Sequence, residues 1–291
     1  LQQFKLWSLQ DPVLYRVNLR LQITNGQEDA RTVRCGFRDF RVVNGYFRLN
    51  GQRIFLRSTH TGNHTPVSQV LAPRAAPDLL RRDLLYAKTL GFNMVRFIAG
   101  IAHPWQLDMC DELGLLVYEE SLAAWLLGDS PHMAARFDAA LREMVLRDRN
   151  HPSVIMWSLA NEPHSRPGVS KGFFAELYQL AKSLDMTRPP TIVSYKGLPE
   201  ESFEFLDVVC LNRYFGWYSE MGQLDLGIAR LSEELDALHA RYPKPLIVAE
   251  FGADALPGLH ALPPEMFSEE YQADFVTRYV ELLDSKPYIV G

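Results

Sequence analysis

Ser153-Val154-Ile155-Met156-Trp157-Ser158-Leu159-Ala160-Asn161-Glu162-Pro163 is a short apolar, β-branched run that stops on two polar side chains and a proline. A run apolar on both faces is the pattern of a strand buried inside a parallel sheet. Pro163 has no N–H to give a ladder, so the strand ends there. A carboxylate at the C-terminal end of such a strand stands where an α/β barrel carries its chemistry. Pro245-Leu246-Ile247-Val248-Ala249-Glu250-Phe251-Gly252 ends in the same way, on Glu250.

Outward from these two runs the chain alternates strand and helix. Candidate strands fall at 53–58, 92–97, 114–119, 153–158, 190–194, 207–212, 245–250 and 287–291. Amphipathic stretches at 78–90, 134–149, 173–184, 228–240 and 268–283 lie between or beside them. This alternation implies a parallel sheet with helices packed outside it. Eight strands favour a closed (β/α)8 TIM barrel over an open doubly wound sheet. No GxGxxG follows any strand, which removes the dinucleotide-binding alternative. The eighth strand begins at Pro287 and the sequence stops at Gly291, so the expectation is a barrel cut short near strand eight.

The first part of the chain reads as antiparallel β. Residues 13–23 alternate apolar and polar, Asn25-Gly26 signals a turn, and residues 32–38 form a second strand. Tyr46–Leu56 resembles a hairpin around Asn50-Gly51. This is too little chain for a complete sandwich. The expected division is therefore the C-terminal part of an immunoglobulin-like β-sandwich over 1–45 and a TIM-barrel domain over 46–291.

Composition narrows the partners. A net charge of −5 without a basic cluster argues against nucleic acid. No apolar run approaches the roughly 18 residues of a membrane span. The start, Leu1-Gln2-Gln3-Phe4-Lys5, does not read as a signal peptide, which favours a cytoplasmic setting. It reads as the interior of a longer protein. Cys35, Cys110 and Cys210 show no CxxC spacing and are expected as free thiols, with no metal site. Asn63-His64-Thr65 fits a glycosylation sequon, a short pattern with little specificity.

Paired carboxylates suggest glycoside hydrolysis, in which retaining enzymes hold a nucleophile and an acid/base about 5–5.5 Å apart. Neighbours on one strand point to opposite faces. The ends of two strands separated by about three strand–helix units can converge at one mouth of a barrel. One carboxylate must be ionised to attack and the other protonated to assist departure.

Arg147–Pro163 resembles the acid/base segment of glycoside hydrolase family 2. Asp207–Tyr218, Ala249–Asp254 and Met266–Gln272 are similar to segments of the β-glucuronidases within that family. The resemblance implies a retaining hydrolase of terminal β-linked sugars, most like one acting on β-D-glucuronides, with a glycoside substrate and no cofactor. It implies Glu162 as acid/base and Glu250 as nucleophile. Asn161 resembles the residue that binds the sugar 2-hydroxyl, Tyr214 the tyrosine beside the nucleophile, and Arg96 the arginine near it. Asn212 and Trp217 are expected to line the pocket. Tyr214 and Trp217 also admit a reading as aromatic core, and Arg96 as a structural ion pair. Family members often form homo-oligomers.

The sequence departs from the family where Leu56–His64 stands for a Gly-x-Asn-x-His stretch and Phe97–Pro104 for a His-Tyr-Pro loop. His60, His64 and His103 are candidates to replace those polar groups. The Asn-x-Lys motif that reads glucuronate in the family follows strand eight and is not in the sequence. Two other readings stand beside the first: a family 2 enzyme for another sugar, such as a β-galactoside, and an inactive carbohydrate-binding fragment.

Overall fold

A computed structural model of the chain describes residues 3–24, 26–60, 77–98, 100–121, 125, 130–166 and 168–291. The Asn25-Gly26 turn, the sequon and His64 therefore lie wholly or partly outside the described residues. The strands are β1 (Tyr15–Gln22), β2 (Glu28–Cys35), β3 (Phe40–Val43), β4 (Tyr46–Leu49), β5 (Gln52–Ile54), β6 (Ser58–His60), β7 (Met94–Arg96), β8 (Leu116–Glu120), β9 (Val154–Asn161), β10 (Pro190–Ser194), β11 (Val209–Asn212) and β12 (Leu246–Glu250). The helices are α1 (Pro77–Thr89), α2 (Pro104–Leu113), α3 (Pro131–Asp148), α4 (Ser170–Leu184), α5 (Leu224–Arg241) and α6 (Glu269–Ser285), with a 3-10 turn at Glu201–Glu204.

Strands β6 to β12 pair in parallel in strict chain order, each crossing to the next through a helix or, between β10 and β11, the 3-10 turn. Helix starts follow local chemistry. Ser130 precedes Pro131 at α3 and its hydroxyl accepts from the Met133 N–H, while Ser268 does the same for Tyr271 at α6. The two edges of the sheet meet: His60 of β6 places Nε2 3.3 Å from the carbonyl of Ala249 in β12. Residues 288–291 occupy the seam lower down. The Leu246 and Val248 N–H groups donate to the Tyr288 and Gly291 carbonyls (3.0 and 3.1 Å), and Leu56 N–H donates to Val290 (2.9 Å). The sheet is thus curled into a barrel. The expected eighth strand is present as this short run, bridged to β12 at Ile289.

Both faces of the barrel strands are covered, which is why they read as continuous apolar runs. Met94, Leu116, Tyr118, Met156, Val193, Cys210 and Ile247 fill the interior. Val95, Val117, Trp157, Ile192, Leu211 and Val248 pack beneath the helices. Cys110 and Cys210 are buried and Cys35 is half-buried, all as free thiols.

Strands β3, β4 and β5 form a small antiparallel sheet whose Phe40, Phe47 and Leu49 join Trp7 in closing the N-terminal end of the barrel. Asn50 and Gly51 both have positive φ (52° and 82°), the two-residue turn that Asn-Gly favours. The strand expected over 53–58 divides in two. Its first residues belong to β5 in this cap, and the first barrel strand is β6 at Ser58–His60. β3 pairs with β4 across the expected domain boundary at residue 45. The N-terminal segment is anchored to the barrel: the Trp7 indole donates to the Asp111 carbonyl (2.8 Å) and Lys88 Nζ to the Leu9 carbonyl (2.9 Å). β1 and β2 form an antiparallel ribbon on which Val17, Leu19 and Leu21 are exposed; a sandwich is not shown by these two strands.

The lower end of β9 is held by one buried ion pair. Asp185 accepts from Arg188 Nη1 (2.6 Å), the Trp157 indole (3.0 Å) and Thr187 N–H and hydroxyl (2.8 and 2.6 Å). Arg188 also donates to the carbonyls of Val154, Arg149 and His151. Burial raises the Asp185 pKa, but the Arg188 charge and the Thr187 hydrogen bonds outweigh it and bring it from 3.8 down to about 2. A depressed carboxylate stabilises the fold above its unfolded pKa and loses that stabilisation as pH falls through the folded value. Stability is therefore expected to fall by about 2 kcal/mol between pH 4 and pH 2 from this group alone. Urea denaturation of Asp185→Asn should show a smaller loss across that window, and equal slopes for both proteins would count against the assignment. Asp185→Ala, which strands the Arg188 charge, is expected to cost about 3–5 kcal/mol at neutral pH.

Candidate active site

Glu250 is the last residue of β12 and 9 % exposed. Its Oε1 accepts from Arg96 Nη1 (2.9 Å) and its Oε2 from the Tyr214 hydroxyl (2.8 Å). Opposite it, β11 slips register by one residue, so that Leu211 pairs with Val248 but Asn212 with Glu250. Such an irregularity re-aims a strand-end side chain. Arg96 closes β7, pointing inward above Met94, and is 1 % exposed. Burial opposes its charge, but the charges of Glu120 and Glu250 prevail and hold its pKa above the ordinary value. The Tyr214 pKa is raised as well, by burial first and then by Glu250, so its hydroxyl stays a donor.

Glu162 follows β9 with φ +46°, a left-handed conformation that non-glycine residues seldom adopt. That turn resolves the alternation problem, because Asn161 and Glu162 both reach the same side. Asn212 Nδ2 donates to Glu162 Oε1 (2.6 Å) and lies 3.4 Å from Asn161 Oδ1. Arg96 Nη2 donates to the same Asn161 oxygen (2.8 Å). The second Glu162 oxygen accepts from the indole of Trp125 (2.9 Å). One connected network therefore joins Glu250, Tyr214, Arg96, Asn161, Asn212 and Glu162.

Trp217 is not brought into that network. It is buried at 6 % exposure, edge-on to Phe267 with centroids 4.9 Å apart and beside Tyr271, in the core between sheet and helices. Its aromatic-core reading is the one the structure favours. His103 caps α2, its Nδ1 accepting from the Trp105 N–H, rather than standing beside the carboxylates. His60 sits at the end of β6, at the seam. A cavity of about 500 Å³ opens there between β6, β12 and α6 and is lined by His60, Arg96 and Glu250. Asn161, Glu162, Asn212 and Tyr214 are not among its lining residues.

Two residues of the network escaped the sequence reading. Glu120 ends β8 fully buried, and its Oε2 accepts from Arg96 Nε and Nη2 (3.1 and 2.6 Å). A strand placed at 114–119 stops one residue short of it; the strand-end rule applied to Leu116–Glu120 would have found it. Its neighbour Glu119 points the other way, accepting from the Ala102 N–H (3.1 Å). Burial, then the nearby Asp148 charge, pushes the Glu119 pKa well up. Trp125 lies in the long connection after β8, where no periodicity or motif marks it.

Residues 40–290 match the family model for glycosyl hydrolases family 2, TIM barrel domain. Beta-glucuronidase of Mus musculus is 32% identical over 284 residues, covering 96% of this chain and 43% of that protein. Beta-glucuronidase of Streptococcus agalactiae is 33% identical over 307 residues, covering 98% and 51%. Among solved structures, beta-D-glucuronidase of Dictyoglomus thermophilum aligns with a TM-score of 0.90 at 30% identity, over 99% of this chain and 51% of that one. The beta-galacturonidase of Eisenbergiella tayi, bound to galacturonate, aligns at 0.88 and 28% identity, over 99% and 51%. The chain spans about half the length of the curated relatives it matches. With a parallel barrel, a buried network at its strand ends and a family match over most of its length, the chain belongs to glycosyl hydrolase family 2 and carries that family's TIM barrel domain.

Proposed function

We propose that the full-length protein is a retaining β-glycosidase that cleaves terminal β-D-glucuronides by double displacement. The observation that carries this reading is the unequal setting of the two strand-end carboxyls. Glu250 accepts from a guanidinium and a phenol, partners that favour an ionised carboxylate. Among the described residues, Glu162 accepts from an amide and an indole, both neutral, and from no cation. This difference in charge of the partners supports Glu250 as nucleophile and Glu162 as acid/base. Glu250 attacks the anomeric carbon as the bond to the aglycone breaks, and Glu162 gives its proton to the departing oxygen. Glu162, now ionised, takes a proton from water. The water oxygen then displaces Glu250 from the anomeric carbon, and the configuration is retained. Asn161 has its side-chain oxygen engaged by Arg96 and Asn212, so its NH2 is the group it offers to a sugar hydroxyl.

Glucuronide is the favoured sugar because the relatives named beta-glucuronidase align over nearly the whole chain. The galacturonidase, at comparable similarity, supports a second uronide as the next candidate. The β1–β2 ribbon, with its exposed Val17, Leu19 and Leu21, is read as part of an immunoglobulin-like sandwich.

Glu250→Gln is expected to lower kcat on an aryl β-glucuronide by roughly a thousandfold or more. Glu162→Ala should cost about 10²–10⁴-fold on a poor leaving group and much less on a nitrophenolate, which departs without a proton. Unchanged turnover in the first variant, or equal losses on both leaving groups in the second, would overturn the assignment. Proton NMR of the first-formed product should show the β anomer; immediate appearance of the α anomer would instead mean inversion. Comparing kcat/KM for aryl β-glucuronide, β-galacturonide and β-galactoside should rank them in that order, and a galactoside preference would sink the uronide reading.

A further inference from the structure

Arg96 carries one positive charge and faces two carboxylates. Nη1 serves Glu250, while Nε and Nη2 converge on a single oxygen of Glu120. Nη2 is shared with Asn161. Glu120 has no exposed surface and lies at the rim of the barrel interior above Tyr118. Two guanidinium N–H groups converging on one carboxylate oxygen favour its ionised form, and the Glu120 charge in turn raises the Arg96 pKa. Among the described residues, the other titratable groups near Glu250 include the Tyr214 hydroxyl from beyond β11, which also feels the charge of Glu162 after β9, His60 across the seam from β6, and Tyr118 beneath Arg96 from β8.

We propose that Glu120 is a positioning residue for the nucleophile: it anchors Arg96 and takes up much of its charge, so that the guanidinium orients Glu250 without quenching it. A nucleophilic carboxylate beside an uncompensated guanidinium is held strongly in its ionised form, and the same stabilisation makes it a poorer nucleophile. With Glu120 ionised, the Arg96–Glu120 pair is close to neutral. Glu250 then feels a directed hydrogen bond more than a net positive charge. The guanidinium cannot swing away, because two of its nitrogens are fixed on the far side.

This inference rests on the retaining reading for its kinetic consequence but not for its electrostatic one, so the two fail separately. The first measurement is a 13C NMR titration of glutamate carboxyls, with the Glu250 signal identified by its loss in Glu250→Gln. In Glu120→Gln, which keeps the size and removes the charge, the Glu250 midpoint is expected to move to lower pH by about one unit. In Glu120→Asp, which keeps the charge, it should return toward the wild-type value. The second measurement is the pH profile for an aryl glycoside. Glu120→Gln should lower kcat about tenfold with a smaller change in KM, and shift the acidic limb of kcat/KM downward. A midpoint and limb that stay in place in Glu120→Gln would overturn the proposal. So would equal shifts in the Gln and Asp variants, which would mean a packing role only. Should Glu120→Gln fail to fold, Glu120→Asp decides alone: a wild-type midpoint and acidic limb support the proposal, and a downward shift in either overturns it.

Discussion

One buried cation organises this barrel. Arg96 is 1 % exposed, and a guanidinium so far from water is tolerated only where its charge and its donors are met. Its partners come from three other strands: Glu120 from β8, Asn161 from β9 and Glu250 from β12. Placing them within reach of one side chain requires the barrel to be closed, since β7 and β12 lie far apart in the order of the sheet and meet only when its edges do. The ion network and the curvature of the sheet are therefore one constraint. Apolar packing of Leu116, Tyr118, Met156 and Ile247 fills the interior below it.

Local backbone irregularity then turns a structural network into a site. Regular alternation would send Asn161 and Glu162 to opposite faces. The left-handed turn at Glu162 puts its carboxyl beside Asn212 instead, and the register slip before Glu250 aims that carboxylate at Tyr214. Strain of this kind persists where surrounding structure fixes it, and Glu162 N–H is held by the Val193 carbonyl (2.8 Å).

Much of this was legible in the sequence because barrel strands are buried on both faces and announce themselves as apolar runs. The runs ending at Glu162 and Glu250 marked the fold and two of the side chains that meet in the network. Arg96, Tyr214 and Asn212 were singled out by the family resemblance, and the structure joins them to the two glutamates. The misreadings share a cause: sequence patterning gives an element's existence more readily than its limits. One residue at the end of β8 hid Glu120, and three residues at β6 merged the barrel with the sheet that caps it. Trp217 was misjudged differently, since an aromatic near a site serves equally well as core, and only the packing against Phe267 and Tyr271 decides. Trp125 sits in a long connection, where contacts are set by tertiary structure and no local rule applies.

The contrast between Glu119 and Glu120 shows what separates a functional carboxylate from a merely buried one. They are adjacent, fully buried and at the end of the same strand. Glu119 faces outward, where burial and Asp148 raise its pKa and a backbone N–H and the more distant Arg147 are its partners. Glu120 faces inward onto a cation that also holds Glu250. Pleat direction alone assigns one to the packing of helices and the other to the reacting end of the barrel. The same geometry divides the whole chain. Groups that handle charge, Arg96, Glu120 and Glu250, are fixed on strands by the hydrogen-bond ladder. The connections beyond the strands are free to vary in length and sequence without disturbing that ladder. A barrel built in this way can keep its buried charge network while the loops around it change.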